Sequence, residues 1–476
     1  LDLKFTPDAN NAIDATIKPD FSQVESDTPQ ISANERFALF YPEKRPFFLE
    51  GADLLSTPIQ AVYTRTITAP DWGGRLTGKS AGIRYTALAV DDTGGGTAVI
   101  PGANSSSTVD EDFSSTIFVG RAKREIGQSF VGALVADREA GAVGGHNRVL
   151  GPDFQWRLSP EDVVTGQWLL SETVTPNLPT LADEWTGEHL SGNDLQANWS
   201  HNQTHLDWFA QYQNVAPGFR AETGFVPQVG YRDADGNVGW TVRPSGFIAR
   251  ERTYLQVINQ ADSSGAPLTE HIEPGINLDT RLSGFMQFRY IDERTRAGGL
   301  LIRRRQFGYF AQISPSRIFK YFEADGTLGG DIDFDNARPA RGTTLNMQAV
   351  VQPTNHLEVA LNEDLRSLNI RTPAGTLTRL LTQHVSQVNG TYNFTARLFF
   401  RLIAQYIDTT RDPAWYTSSV DARDSSFALS TLLAYKVNWQ SVLFVGYGDD
   451  AGLAPDGRLA PLDRQFFVKL SHAFQR

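Results

Sequence analysis

The chain has 476 residues, of which 43 are basic and 54 acidic, and its formal net charge is −11. This charge argues against a protein that binds nucleic acid by neutralising phosphates. The absence of cysteine excludes disulfides, thiolate metal sites and cysteine nucleophiles.

The start of the sequence alternates apolar and polar residues in Leu1-Asp2-Leu3-Lys4-Phe5, with no initiator Met. We therefore expect that a signal peptide is missing, and an upstream module is a further candidate for a missing part. No apolar run in the chain reaches the roughly 18 residues of a transmembrane helix. A helical membrane protein is therefore not predicted.

Residues 18–51 are the first distinctive stretch, because they follow neither helical nor strand periodicity. In residues 41–51, two prolines fix φ and remove backbone donors among charged and aromatic side chains. We predict a packed, irregular insert over residues 18–57. The centre of this insert is the run Tyr41-Pro42-Glu43-Lys44-Arg45-Pro46-Phe47-Phe48-Leu49-Glu50-Gly51.

From Arg75 onwards, segments of about ten residues alternate apolar and polar side chains, as strands with two different faces do. Short turns and long polar loops alternate between these segments, which predicts an up-and-down antiparallel meander with its long loops at one end. The short turns lie at 126–129, 159–162, 201–204, 353–356 and 437–440. The long loops lie at 91–114, 139–145, 173–188, 409–424 and 449–464.

This pattern predicts an all-β fold: a large antiparallel up-and-down transmembrane β-barrel in the bacterial outer membrane, forming a single domain over residues 1–476. We expect about 22 strands, within a range of 20–24 and with an even number preferred. Residues 60–68 fit either a strand or an extension of the insert, and residues 236–244 are also ambiguous. The insert would then lie in or across the lumen.

A soluble β-propeller or β-sandwich is the alternative fold, because alternation alone suits both. The aromatic residues favour the membrane barrel, since they lie on apolar faces or near strand ends, as interfacial girdles do. They are Tyr85, Phe118, Trp156, Trp168, Trp199, Trp208, Tyr212, Tyr392, Tyr406, Tyr435, Phe444 and Tyr447.

The last segment, residues 465–476, also alternates. One face carries Phe466, Val468, Leu470 and Phe474. This segment resembles the last strand of bacterial outer-membrane barrels, which ends in an aromatic residue, although two residues follow the final aromatic residue here.

Three runs carry a family resemblance: residues 17–27, residues 40–51 and Leu76-Thr77-Gly78-Lys79. They resemble a family of bacterial outer-membrane β-barrel proteins of unknown function, whose members carry an N-terminal module similar to family-9 carbohydrate-binding domains. A weaker resemblance continues through residues 119–124 to the C-terminus. It implies architecture and location rather than activity. The module is absent from this chain, so sugar binding is not carried over. In the family, strands also precede the position of Leu1, so we expect the seam of the barrel to be either incomplete in this chain or supplied by another fragment.

Asp331, Asp333 and Asp335 alternate along one strand, so their carboxylates share a face. Their repulsion would be relieved by a hard cation such as Ca²⁺, by arginines, or by water. Calcium is the only cofactor that the sequence suggests. A second acidic run, residues 233–237, lacks the distal Glu of a calcium loop, and we interpret it as a glycine-containing turn.

Arg303, Arg304 and Arg305 fit either the binding of phosphate or lipopolysaccharide, or a strand end at a polar interface. His201 and His205 flank a turn, so their spacing implies no metal geometry. Residues 92–94 imitate one loop of an aspartic protease, but no second copy exists. No other hydrolase motif is present, and we predict that the protein is not an enzyme.

The leading functional hypothesis is a pore or transport channel whose lumen is narrowed by the insert. The alternatives are a plugged barrel that anchors a surface or periplasmic protein, and an outer-membrane hydrolase. The expected partners are outer-membrane lipid or lipopolysaccharide, such a protein, or the missing N-terminal module, with no nucleic acid. The candidate site residues are the charged side chains of the insert, which would either set the field in the lumen or pair with wall arginines: Asp20, Glu25, Asp27, Arg36, Glu43, Lys44, Arg45 and Glu50.

Overall fold

The computed structural model describes residues 1–21, 24–281 and 283–472. Their contacts divide them into two compact units. Unit 1 contains residues 1–21, 36–239 and 256–270, and unit 2 contains the described parts of residues 22–35, 240–255 and 271–476. No helix in these ranges is long and apolar enough to cross a bilayer.

The first twelve strands pair antiparallel with their neighbours, in the order β1, β2, β3, β4, β7, β8, β9, β10, β11, β12, while β5 and β6 form a separate hairpin. Their bounds are β1 Asp2–Asp8, β2 Asn11–Ile17, β3 Pro70–Ser80, β4 Ile83–Asp92, β5 Gly96–Ile100, β6 Ser107–Glu111, β7 Ser115–Ile126, β8 Ser129–Ala140, β9 Gly145–Arg157, β10 Asp162–Val174, β11 His189–Asn202 and β12 Leu206–Val215.

The remaining strands continue the meander, and each strand from β16 to β24 pairs antiparallel with the next. Their bounds are β13 Tyr231–Val242, β14 Ile248–Asp262, β15 Pro267–Thr280, β16 Gly284–Ala297, β17 Leu300–Ile313, β18 Phe319–Asp333, β19 Arg338–Val351, β20 Leu357–Arg371, β21 Leu377–Asn393, β22 Leu398–Arg411, β23 Arg423–Lys436, β24 Ser441–Leu453 and β25 Leu459–His472.

Helical structure in the described part is limited to single turns. The two α-helices are α1 Pro46–Leu49 and α2 Ala52–Leu55, and the 3₁₀ turns are Thr64–Thr66, Gly141–Val143 and Pro413–Trp415. Pro46 occupies the first turn of α1, where its missing N–H costs no helical hydrogen bond. The described residues of the predicted insert therefore contain no strand, as predicted.

The large antiparallel sheet has 23 strands in the described residues, which lies within the predicted range of 20–24 but is odd rather than even. No described residue between β2 and β3 belongs to a strand, so residues 60–68 are an extension of the insert. We call residues 18–69 the extended insert. The ambiguous residues 236–242 belong to β13, with 243 and 244 beyond its end.

Three interpretations of connections are wrong. Residues 139–145 are strand ends around a 3₁₀ turn, and residues 449–464 lie mostly in β24 and β25. Both were predicted as loops because polar strand ends resemble loops in sequence. Residues 233–237 lie inside β13 rather than in a turn, since their acidic residues alternate with small ones and fit a strand. A long connection at residues 216–230 was not predicted.

Strand faces in unit 1 have the polarity of a membrane barrel. In β10, Trp168 is 49% exposed and Leu170 is 42% exposed, while Leu169 between them is fully buried. In β11, Leu195 and Trp199 are exposed, whereas the polar residues between them are less so. A soluble sandwich would bury the large apolar side chains and expose the polar ones.

The predicted fold class is therefore confirmed as the antiparallel, up-and-down fold of outer-membrane β-barrels. The location is the bacterial outer membrane, because a strand meander with an exposed apolar face requires lipid around it. The exposed aromatic residues agree with the predicted girdle: Phe118, Trp156, Trp168, Trp199, Tyr212, Tyr392, Tyr435 and Tyr447. In β25, Phe466, Val468 and Leu470 are exposed as predicted, while Phe474, Gln475 and Arg476 lie outside the described residues.

Candidate functional site

The extended insert shares an apolar core with the strands of unit 1. Phe48 of α1 is 2% exposed and Ile59 is 3% exposed, and they pack in one cluster with Ile117 of β7 and Leu169 of β10. Burying each such side chain contributes about 1.5–3 kcal/mol. The insert is therefore part of the hydrophobic core of this unit rather than a segment lying loosely on it.

Arg121 of β7 anchors the insert through its backbone. One of its nitrogens donates to the carbonyl oxygens of Leu54 and Ser56, each at 2.7 Å. The same guanidinium pairs with Asp153 of β9, and the two side chains are 3% and 1% exposed. This arginine thus satisfies two backbone acceptors at the end of α2 that no helical N–H reaches.

Two further wall residues hold the insert in the same way. Arg75 of β3 pairs with Asp14 of β2 at 3.0 Å and donates to the carbonyl oxygen of Phe47. Gln167 of β10 accepts a hydrogen bond from the backbone N–H of Ile59 at 2.8 Å. The wall of unit 1 therefore supplies both donors and acceptors to an irregular backbone.

Glu43 and Arg45 form a pair within the insert, with Nη2 of the arginine 2.7 Å from Oε2 of the glutamate. Arg45 also donates to the carbonyl oxygens of Thr64 and Ile67 at 2.8 and 2.6 Å. Its guanidinium lies 4.3 Å from the ring centre of Phe48, a cation–π contact. These two predicted site residues hold the insert together.

The unpredicted connection 216–230 packs against the insert. The backbone N–H of Tyr63 donates to the carbonyl oxygen of Thr223 at 2.7 Å, and that of Phe225 donates to the carbonyl oxygen of Gln60 at 2.9 Å. Phe219 is fully buried in the shared core. The absence of period-two alternation over these residues, with prolines at 217 and 227, is the signal that would have revealed this loop.

Ion pairs surround this junction in unit 1. Arg138 of β8 binds both carboxylate oxygens of Glu111 at 2.9 and 2.8 Å. Arg220 of loop 216–230 binds Glu184, with 2.8 Å between Nε and Oε1. Glu222 lies within the field of both pairs.

Burial of the Glu222 carboxyl raises its pKa to about 7, although the charge of Arg138 opposes this increase. A glutamate whose pKa is higher in the folded than in the unfolded state binds its proton more tightly when folded, so its contribution to stability falls as pH rises. We expect the free energy of unfolding to decrease between about pH 4.5 and pH 7 through this group. In Glu222→Gln this component should vanish. Urea titrations of both proteins across this range test it, and identical pH profiles would contradict it.

In unit 2, residues 24–35 are held by polar side chains of the strands. Oε1 of Gln383 accepts the N–H groups of Ser32 and Ala33, each at 2.9 Å. Asn34 has a φ of 63°, which asparagine tolerates better than most residues. Its amide donates to the carbonyl oxygen of Ile332 at 2.9 Å and accepts from the N–H of Phe334 at 2.8 Å.

The other predicted insert charges have separate partners. Glu25 pairs with Arg401 at 2.8 Å, and Glu50 pairs with Lys4 and lies 3.5 Å from Arg75. Arg36 donates to the carbonyl oxygen of Asn104 at 2.9 Å. The remaining three have partners and are at least partly exposed: Asp20, Asp27 and Lys44. Their role in setting the electric field of the lumen stays a prediction.

The acidic row of β18 has arginine partners. Asp331 lies 3.2 Å from Arg304, and Asp333 lies 2.7 Å from Arg338, while Asp335 lies beyond the strand. The described residues contain no group of three or more histidine or acidic side chains placed to hold a metal ion. Arginines thus relieve the repulsion at two of the three carboxylates, and calcium binding stays a prediction.

The remaining motifs occupy separate places. Arg303 and Arg305 share the exposed face of β17 and pair with Asp292, whereas Arg304 points to the other face. His201 pairs with Asp162 at 2.9 Å at a short turn. Asp92, which follows the apolar run of β4, is almost fully buried and accepts from the N–H groups of residues 68 and 69. Its carboxylate therefore stabilises a turn.

Residues 1–72 match the model of a family described as a domain of unknown function (DUF5916). This region covers β1, β2, the extended insert and the start of β3. A comparison with curated proteins gave no match.

Solved structures with a similar chain path include receptors and a channel. The siderophore receptor PirA from Acinetobacter baumannii matches with 7% identity and a TM-score of 0.49, over 84% of this chain and 79% of that chain. A mutant of the ferric enterobactin receptor PfeA from Pseudomonas aeruginosa matches with 9% identity and a TM-score of 0.40, over 85% of each chain. The outer membrane channel DcaP of Acinetobacter baumannii matches with 11% identity and a TM-score of 0.28, over 83% of this chain and 99% of that chain.

Proposed function

We propose that the protein is an outer-membrane channel for a solute and that the extended insert permanently narrows its lumen. The observation that carries this proposal is the shared core of the insert and the strands of unit 1, in which Phe48 and Ile59 are buried. In unit 2, residues 32–34 are held separately through Gln383 and backbone hydrogen bonds.

The way the insert is held favours a fixed constriction over a flap that swings out. Removing it from unit 1 would expose the apolar core and leave Arg121 and Arg75 without their carbonyl partners. Each buried donor that is left without a partner lowers the free energy of unfolding by about 1–3 kcal/mol. The insert would therefore shape the passage in every conducting molecule, and selectivity would follow from the residues that it leaves exposed.

Chemical modification of the insert tests this proposal. Because the chain contains no cysteine, a thiol reagent reacts only with a cysteine that is introduced by mutation. In Glu50→Cys, an anionic methanethiosulfonate reagent should lower the single-channel current in a planar bilayer, because it enlarges an exposed insert residue. Glu172→Cys is the matched control, since this carboxylate is similarly exposed and lies on the same strand face as Trp168 and Leu170. Equal effects at both positions would contradict a passage beside the insert.

The plugged-anchor alternative predicts no current from the native protein or from the cysteine variants. We further propose that the protein is not an enzyme, and the use of the Asp92 carboxylate in a turn supports this. Outer-membrane lipid or lipopolysaccharide is the proposed partner, supported by Arg303 and Arg305 on an exposed face. A surface or periplasmic protein would be the partner of the plugged form.

A further inference from the structure

A row of four neutral amides crosses four neighbouring strands of unit 2, and a glutamate continues it on a fifth strand. Strand register aligns Glu323 of β18 with Gln348 of β19, then Asn362 of β20, Gln387 of β21 and Gln405 of β22. Directly paired side chains lie about 5 Å apart, and five strands span about 19 Å. Gln348 is exposed and Asn362 and Gln405 are partly exposed, whereas Gln387 is 5% exposed. The row is therefore long enough to contact an extended ligand through its three accessible amides.

The amides of this row bond to one another along the same direction. Gln348 Nε2 donates to Asn362 Oδ1 at 3.0 Å, and Asn362 Nδ2 donates to Gln387 Oε1 at 3.2 Å. Each primary amide has two N–H donors and an oxygen with two lone pairs. Within the part of the chain that the structure describes, these bonds use only some of that capacity. Gln348 is exposed, so its remaining donor and acceptor sites face open space.

The surroundings of the row add hydrogen-bond acceptors and negative charge. Asp325, Asn346 and Asp364 form the adjacent register row, and Asn346 donates to Asp325 at 3.0 Å. Two arginines on the same strand faces form ion pairs with residues outside the row: Arg366 pairs with Glu35, and Arg401 pairs with Glu25. The local field therefore disfavours anions, while the amides favour hydroxyl groups that donate and accept at once.

We propose that this amide row binds an uncharged oligosaccharide on its way through the channel. The inference rests on the proposed channel function and names the class of its solute. Sugar hydroxyls can pair with successive amides and carboxylates as the chain advances, without the cost of removing a charge from water. An anionic polysaccharide of the same length would meet the carboxylates of Glu323, Asp325 and Asp364.

Calorimetric binding of maltohexaose to the full chain tests the proposal, in a detergent without a sugar headgroup such as lauryldimethylamine oxide. We expect the native protein to bind maltohexaose more tightly than an oligogalacturonate of equal length. The double variant Gln348→Met/Asn362→Leu removes two amides with little change in volume, and it should weaken binding by about tenfold or more. Asn369→Leu is the matched control, because it makes the same change in β20 on the opposite strand face.

Equal affinity of the native protein and the double variant would overturn the proposal, and so would tighter binding of the oligogalacturonate or no binding of maltohexaose. Heat-modifiable gel migration verifies that each variant is folded. Bilayer currents separate this inference from the proposed function. A protein that conducts but does not bind maltohexaose refutes the inference alone, whereas one that binds but does not conduct refutes the channel and leaves a sugar-binding wall.

Discussion

Replacing Arg121 by methionine is expected to lower the free energy of unfolding by about 3–5 kcal/mol. The substitution leaves the Asp153 carboxylate buried without its partner, at 1% side-chain exposure. It also removes the donors that hold the carbonyl oxygens of Leu54 and Ser56. Urea unfolding of the detergent-solubilised protein, followed by tryptophan fluorescence, measures the change.

Arg148→Met is the matched control for this effect. Arg148 also pairs with carboxylates, Asp137 and Glu139, but its side chain is 50% exposed, and exposed pairs contribute about 0–1 kcal/mol. The double variant Arg121→Met/Asp153→Leu should recover part of the loss, since it leaves no unpaired buried charge. A loss at Arg121 no larger than that at Arg148 would contradict the anchoring role.

Gly224→Ala is expected to separate loop 216–230 from the insert. A Cβ at this position would lie 2.5 Å from the carbonyl oxygen of Gln60 and 2.8 Å from backbone atoms of Ala61. Backbone atoms cannot move aside as a side chain can, so the junction itself must shift. We expect a loss of about 1–3 kcal/mol and faster proteolytic cleavage within residues 56–69, measured by limited proteolysis in detergent.

Gly74→Ala separates this effect from the general consequences of adding a methyl group to a glycine. No atom lies within 4 Å of a Cβ built at Gly74, which is on β3, so this variant should cleave at the native rate. Equal cleavage rates in the native protein, Gly224→Ala and Gly74→Ala would show that the loop does not hold the insert.

The sequence was sufficient to predict the strands because period-two alternation is a local signal. Leu195, Ala197 and Trp199 alternate with polar residues whether or not the rest of the chain is known. The insert was also predictable, since Pro42 and Pro46 interrupt this alternation. Its extension beyond residue 57 was left open, because residues 58–69 contain only the 3₁₀ turn Thr64–Thr66 as a regular element and depend on contacts with strands distant in sequence.

The contacts of the candidate site were not predictable in the same way. Whether Glu43 faces a lumen or pairs with Arg45 depends on how an irregular backbone folds, and no periodicity encodes that. Loop 216–230 was missed because its inward packing depends on Phe219 meeting a core that residues 48–67 also form. The amide row across β19 to β22 requires strand register, which alternation within a single strand cannot supply.

Single-channel conductance of the native protein and Gly224→Ala in the same planar bilayer tests the central claim most directly. If the insert narrows an open lumen, the native protein should give small, stepwise currents. Gly224→Ala should then give larger steps, while Gly74→Ala remains native-like. Absence of current from the native protein and from Gly224→Ala, despite folded and inserted protein, would contradict the channel.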